Sequence, residues 1–270
     1  MVLLNAAAVT RDYALNLPDL YRRRVLFTCN AKEEVMLGWE GELPQPAVRT
    51  IEEMRSVLAD PSCESSGVLY YMYRDLAKSD ADWRWLHHHN LRYDLTVIPS
   101  RTLCGEWVKT KGHYHPKNPA GIGYPEIYEV IEGQAHYLLQ SQTLDDAVMI
   151  SARAGDLVII PPDYGHISIN PSPDTTLTMA NIVSTAFQSE YGEYEKYHGA
   201  AYYEMSSGKM HKNSHYPVCP PMRHIGASCG MGTHRICKAP LYNLIGNEDA
   251  LAFLNFPEKF LTVFSVLLKG

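Results

Sequence analysis

Lys109-Thr110-Lys111-Gly112-His113-Tyr114-His115 opens the stretch that decides the fold, and Pro161-Pro162-Asp163-Tyr164-Gly165-His166-Ile167-Ser168-Ile169-Asn170 closes it. Between them lies Pro125-Glu126-Ile127-Tyr128-Glu129-Val130-Ile131-Glu132-Gly133. His113 and His115 are two apart, so on a β-strand both imidazoles leave the same face. Glu126 offers a carboxylate, and His166 a third imidazole from a separate apolar strand. Three neutral nitrogens and one carboxylate suit a catalytic divalent metal such as iron, manganese, zinc or nickel.

Outward from this stretch the pattern is one of short strands separated by turn signals, which predicts an all-β fold with few helices, a sandwich or barrel. Tyr93 to Ile98 reads as one strand, Glu106 to His115 as the next, and Glu126 to Ile131 with Gln134 to Gln140 as a hairpin across Glu132-Gly133. Period two assigns Glu126, Tyr128 and Val130 to the interior, and leaves Glu129 outside and solvated. Gly155-Asp156 turns into Leu157 to Ile160, and Leu177 to Val183 supplies a last apolar strand. A small barrel open at one mouth is a usual place for a ligand cavity.

The same residues carry a family resemblance. Glu126, six residues and Gly133 resemble the end of the first cupin motif. Gly155, five residues, Pro161, then His166 and Asn170 resemble the second, with Asp163 standing where the motif has glycine. Within the cupins, Thr-Lys-Gly-His-Tyr-His, Glu-Ile-Tyr, Tyr-Leu-Leu-Gln and Pro-Pro-Asp-Tyr-Gly-His are similar to the cupin-type glucose-6-phosphate isomerases, over about residues 70–199. The resemblance implies a cupin jelly-roll barrel at 92–199, behind a lead-in at 1–91 and before a C-terminal extension at 200–270. It implies one divalent metal per subunit, most commonly Fe²⁺, on His113, His115, Glu126 and His166. Substrate contacts fall on Tyr70, Thr96, Thr110, Gly112 and Tyr128, and Glu126 and Tyr128 take catalytic roles. The expected reaction interconverts glucose 6-phosphate and fructose 6-phosphate, in a cytoplasmic homodimer.

Read without the family, these residues support plainer roles. Threonine is common in sheets, and Tyr70 and Tyr128 could simply pack. Another metal-dependent cupin enzyme, either an isomerase of a different sugar or an oxygenase, and a non-catalytic sugar-binding cupin are the alternatives; fold alone does not separate them. Besides Asp163, two features depart from the family. The link from His115 to Glu126 is longer, and Gln188 falls about where smaller members carry a histidine, leaving Tyr191 or His198 to help open the sugar ring.

Composition bounds the rest. The chain has 270 residues, 46% hydrophobic, with net charge -6, and its mean hydropathy is -0.23 with pI near 6.0. These values describe a globular protein with no basic stripe for nucleic acid beyond Arg22-Arg23-Arg24. The apolar run at Val2-Leu3-Leu4 lacks a signal peptide's basic flank, and no run approaches the ~18 apolar residues of a membrane span. Six cysteines with no CxxC pair read as reduced thiols. Lys109 and Lys111, at a strand edge, read as solvated.

In the lead-in, Thr50-Ile51-Glu52-Glu53 is a capping box with Met54, Val57 and Leu58 behind it, and Val68 to Tyr73 is a strand. His87-His88-His89 ends a short helix and, pointing three ways, does not share one ion. In the extension, Tyr202 to Met205 reads as a covering strand. The spacings of His211, His215, Cys219, His224, Cys229, His234 and Cys237 match no zinc pattern. Asn247 caps a helix, and Phe260 to Leu268 packs on the barrel or on a second subunit.

Overall fold

The structure is a computed structural model that describes residues 24–29, 33–40, 43–226 and 240–268. The apolar opening run and Cys229, His234 and Cys237 lie outside the described residues. Two compact units are present, Met1–Leu43 and Pro44–Gly270. In the first, β1 (Arg24–Cys29) pairs antiparallel with β2 (Glu33–Glu40).

The second unit opens with β3 (Ala47–Thr50), helix α1 (Ile51–Met54), β4 (Val68–Tyr73), helix α2 (Asp80–His88) and β5 (Leu91–Ile98). Short strands β6 (Thr102–Leu103) and β7 (Glu106–Trp107) follow, then β8 (Glu126–Glu132), β9 (Gln134–Ser141), β10 (Ala147–Arg153), β11 (Leu157–Ile160), β12 (Tyr164–Ile169) and β13 (Leu177–Ser184). The chain ends through α3 (Gly192–Lys196), β14 (Tyr202–Glu204), β15 (Met210–Lys212), β16 (Met222–Gly226), α4 (Glu248–Leu251) and α5 (Leu261–Leu267).

Six strands in the order β11-β8-β13-β5-β4-β3 make one sheet, and β12-β9-β10-β16 make the other. The inner faces of both meet in one core, with Val130, Val158, Leu177 and Met179 from the first against Ala135, Tyr137, Leu139 and Val148 from the second. This is the all-β jelly roll expected from the sequence. Strands of the lead-in extend the six-stranded sheet, and β16 extends the four-stranded one, parallel to β10. A second apolar cluster on the far side of the four-stranded sheet joins Leu138, Met149 and Ile167 to Tyr194, Tyr202 and Tyr216. The extension thereby covers a face that would otherwise meet water.

Local signals hold where they are strongest. Thr50 N–H donates to Glu53 Oε2 at 2.8 Å, and Met54, Val57 and Leu58 are buried behind it. Asn247 accepts the Ala250 N–H at 3.1 Å. His87 and His88 close α2, with His87 Nε2 on Asp75 at 2.9 Å. In α5, Phe264 is buried while Leu261 and Val263 remain exposed.

Five expectations need correction. Strands β8 and β9 do not form a hairpin: they belong to different sheets, and the chain crosses between them at Gly133. Gly133 has φ 80° and lies so close to Thr176 that a Cβ would sit 2.6 Å from its carbonyl oxygen. Left-handed backbone and close approach both call for glycine, and a two-residue turn signal looks the same either way. Residues 106–115 are not one strand: β7 stops at Trp107, and isolated bridges follow, Lys109 to Ile169 and His113 to His166. Four residue steps on one side face three on the other, so a bulge lies between them.

Glu129 does lie on the outer face, but it is 5% exposed, because the Leu241 N–H donates to its Oε2 at 2.8 Å. Lys109 is only 2% exposed, ion-paired to buried Glu106 and set over the Tyr203 ring at 4.7 Å. Lys111, also read as solvated, is largely buried in a pair with Glu195 at 2.5 Å. Finally, the thiols are not all reduced: Cys63 and Cys104 form a disulfide with Cα atoms 5.8 Å apart. Spacing along the chain reports only local cysteine pairs, and this one is brought together across 41 residues.

Gly133→Ala tests the sheet crossing. With a positive φ and a backbone oxygen in the way, it should cost about 1–3 kcal/mol, read as a lower urea midpoint at unchanged m.

Candidate metal centre and adjoining cavity

Strand β8 presents Glu126 and Tyr128 inward by its alternation, β12 presents His166, and the bridged segment before β8 presents His113 and His115. One ligand atom from each of His113, His115, Glu126 and His166 lies within 4.8 Å of all the others. His115 Nε2 is 3.2 Å from His113 Nε2 and 3.5 Å from Glu126 Oε2, and His166 Nε2 is 3.4 Å from the same oxygen. The four ligands read from the sequence therefore converge.

The bulge explains how the segment serves the site. Strict period two would turn Thr110 and His113 to opposite faces, yet Thr110, Lys111, His113 and His115 all line one cavity. The extra residue re-aims the strand. Asp163, in place of the motif's glycine, takes φ 64°, a left-handed conformation that aspartate tolerates. The longer link folds back on itself through Asn118, whose Oδ1 accepts the Ala120 N–H at 3.0 Å and the Ile122 N–H at 3.2 Å.

The surroundings prepare the donors. His115 Nδ1 lies 2.9 Å from the Tyr124 carbonyl and His113 Nδ1 3.3 Å from that of Lys111. Each carbonyl takes an N–H there, leaving Nε2 as a lone-pair donor. Burial pushes His115 and His166 down to about 3 and His113 well below its usual range, so all three are neutral. Burial also raises the Glu126 carboxyl. Asn181 Nδ2 donates to Glu126 Oε1 at 2.7 Å, while Oε2 is buried with no hydrogen-bond partner among the described residues. A bare carboxylate oxygen among three imidazole lone pairs fits a divalent cation.

A cavity of about 340 Å³ adjoins the donors. Tyr70, Thr96, Thr110 and Tyr128 line it. Thr110 Oγ1 accepts the Ser168 N–H at 2.9 Å, which leaves its own proton to donate. The Tyr70 hydroxyl accepts the Lys111 N–H at 3.1 Å. Burial holds Tyr128 protonated, with its pKa well above the usual, and its hydroxyl lies 3.1 Å from His166 Nε2. Gly112 does not line the cavity: a Cβ there would meet the Tyr194 ring at 2.2 Å, so the glycine admits a buried ring. Tyr191 and Gln188 line the wall; His198 does not, and packs on His215 at 4.3 Å.

Among the cavity residues that went unread in the sequence are Arg49, Arg74, Arg92, Asp94 and Asn181. Each is an isolated polar residue on or beside a strand, and only the strand register reveals that it faces inward. The capping box at 50–53 placed Arg49 next to a helix start, but said nothing of the cavity.

Residues 48–220 match the family described as glucose-6-phosphate isomerase (GPI). A glucose-6-phosphate isomerase of Thermococcus litoralis is 27% identical over 136 residues, covering 48% of this chain and 65% of that protein. One from Pyrococcus furiosus is 30% identical over 91 residues, covering 34% and 46%. The matched region thus spans between about half and two thirds of these curated relatives. An oxalate decarboxylase from Bacillus subtilis overlaps 44% of this chain and 26% of its own, at 14% identity and TM-score 0.32, too little to carry an argument.

Metal analysis of purified protein should find about one divalent ion per chain. His166→Ala should lose it, and Asn181→Ala should weaken affinity by about 10–100-fold by freeing Glu126. Full occupancy in His166→Ala would contradict this centre.

Proposed function

The chain belongs to the glucose-6-phosphate isomerase family, and from that premise we propose that it interconverts glucose 6-phosphate and fructose 6-phosphate as a metal-dependent aldose–ketose isomerase. The observation that carries this reading is the junction of the His113, His115, Glu126 and His166 donors with a cavity walled by hydroxyls and cations. We read Fe²⁺ as the ion, with Mn²⁺, Zn²⁺ or Ni²⁺ as substitutes, held by those four residues. When bound, a divalent ion polarises a carbonyl oxygen and stabilises negative charge developing on it.

The chain's own groups supply the rest. Tyr70, Thr96, Thr110 and Arg49 hold the phosphate end; Arg49 Nε is buried with no hydrogen-bond partner among the described residues, which suits an anion's oxygen. Phosphate held there directs C1 and C2 of the open-chain sugar toward Glu126. A base takes the C2 proton and returns it to C1 through a cis-enediol. Glu126, with Oε1 fixed by Asn181, offers Oε2 on the cavity side for ligation or proton transfer. Tyr128, kept protonated, donates to the oxygen on which charge develops. Tyr191, on the wall 5.5 Å from the His113 ring, is the candidate for ring opening. The family's homodimeric habit comes with the resemblance, and exposed Phe256, Leu261 and Val263 offer an apolar surface for it.

Fructose 6-phosphate conversion by chelator-stripped protein, before and after adding each ion, tests the reading. Activity should return with metal, and Tyr128→Phe should lower kcat by about 10²–10³-fold. Thr110→Val should instead raise KM with kcat largely held. Metal-loaded protein with no turnover on either sugar phosphate would refute the assignment.

A further inference from the structure

The cavity holds more cations than one phosphate group engages, and they fall in two places. Arg49 stands opposite Tyr70 across the β3–β4 pair, and Lys111 joins them through its N–H on the Tyr70 hydroxyl. Arg74 lies four residues further along, roughly 13 Å by the strand rise. Beside it on β5 are Arg92 and Asp94. Alternation turns Tyr70, Met72 and Arg74, and likewise Arg92, Asp94 and Thr96, to the same interior wall.

Neutralising Asp94 accounts for only part of this cluster. Asp94 Oδ1 accepts the Asp75 N–H at 2.9 Å, and Oδ2 takes Arg92 Nε at 2.8 Å and Arg74 Nη1 at 3.4 Å. Asp94 alone faces two guanidiniums, and Glu126, the other carboxylate on this side of the cavity, belongs to the metal donors, whose cation takes up its charge, so an excess positive charge remains. Arg92 Nη1 and Nη2 make no hydrogen bond among the described residues, and Arg74 Nη2 reaches only Met72 Sδ at 3.3 Å. Asp75, with φ 58°, ends the strand in a left-handed conformation that its bond to Asp94 holds. Two guanidinium forks fixed at a cavity wall, with donors to spare, match the oxygens of a phosphate or carboxylate.

We propose that Arg74 and Arg92 form a second anion subsite, so that the cavity takes sugars bearing an anionic group at both ends. This rests on the sugar-phosphate reading above and extends it. The phosphate lies at the Tyr70 end, and a second phosphate or carboxylate lies at the Arg92 end. Val183 pairs with both Arg92 and Glu126. The second anion therefore sits in the strand layer of the metal ligands, at the reacting end of the sugar.

Calorimetric titration of the metal-loaded protein with D-glucitol 6-phosphate and D-glucitol 1,6-bisphosphate tests the subsite. Neither hexitol can isomerise, so binding is read apart from activity. The bisphosphate should bind at least about tenfold tighter. Arg92→Gln and Arg74→Gln should each bring that preference close to unity while leaving the monophosphate Kd within about twofold. Arg74, more exposed and with the longer contact, leaves Asp94 its nearer partner and guards against misfolding. A preference absent from the wild type, or unchanged in both variants, overturns the subsite alone. Failure of both hexitols to bind overturns the sugar-phosphate reading and the subsite with it.

Discussion

A carboxylate oxygen with no hydrogen bond from any described residue, buried among three uncharged imidazoles, is the constraint on which the site depends. Removing Glu126 from water raises its pKa, and the same burial strips the histidines of their protons. Each group is poorly placed alone, since buried charge needs a partner and buried lone pairs need a donor. A divalent cation answers both needs at once. Asn181, Tyr124 and Lys111 orient the donors in advance, so little reorganisation accompanies binding.

That convergence relies on three places where the backbone departs from regular sheet. The bulge between Lys109 and His113 lets a phosphate-side threonine and a metal-side histidine share one cavity. Gly133 moves the chain from the sheet bearing Glu126 to the one that pairs with His166. Gly112 leaves room for the Tyr194 ring, and Gly165 for the Tyr114 ring and the Tyr194 hydroxyl, so both rings pack between the bridged segment and β12. None contributes a reacting atom; together they set the distances between those that do.

The four ligands were legible because each follows from a rule of short range. Two histidines at spacing two, a glutamate starting an alternating strand, and a histidine after a proline pair all announce their direction. Arg74 and Arg92 were not legible, because a single arginine on a strand reads as solvated until register assigns its face. Glu129 and Lys109 failed for a related reason: period two gives the side of a sheet, not what covers it, and the coverings come from Leu241 and Tyr203, far along the chain. The β8–β9 crossing was misread because a glycine turn has one sequence signature for two topologies.

The disulfide between Cys63 and Cys104 closes a loop that contains β4, α2 and β5. Tyr70, Met72, Arg74, Arg92, Asp94 and Thr96 all lie inside it, whereas every metal donor lies outside. By the chain-entropy argument, such a closure removes about 4 kcal/mol of freedom from the unfolded chain. Its benefit falls on one wall of the cavity. The tether therefore spans a single wall of the cavity, the one that carries Tyr70, Arg74, Arg92 and Thr96, while the metal donors and the remaining phosphate-side groups, Arg49 and Thr110, stand on chain that the loop does not enclose.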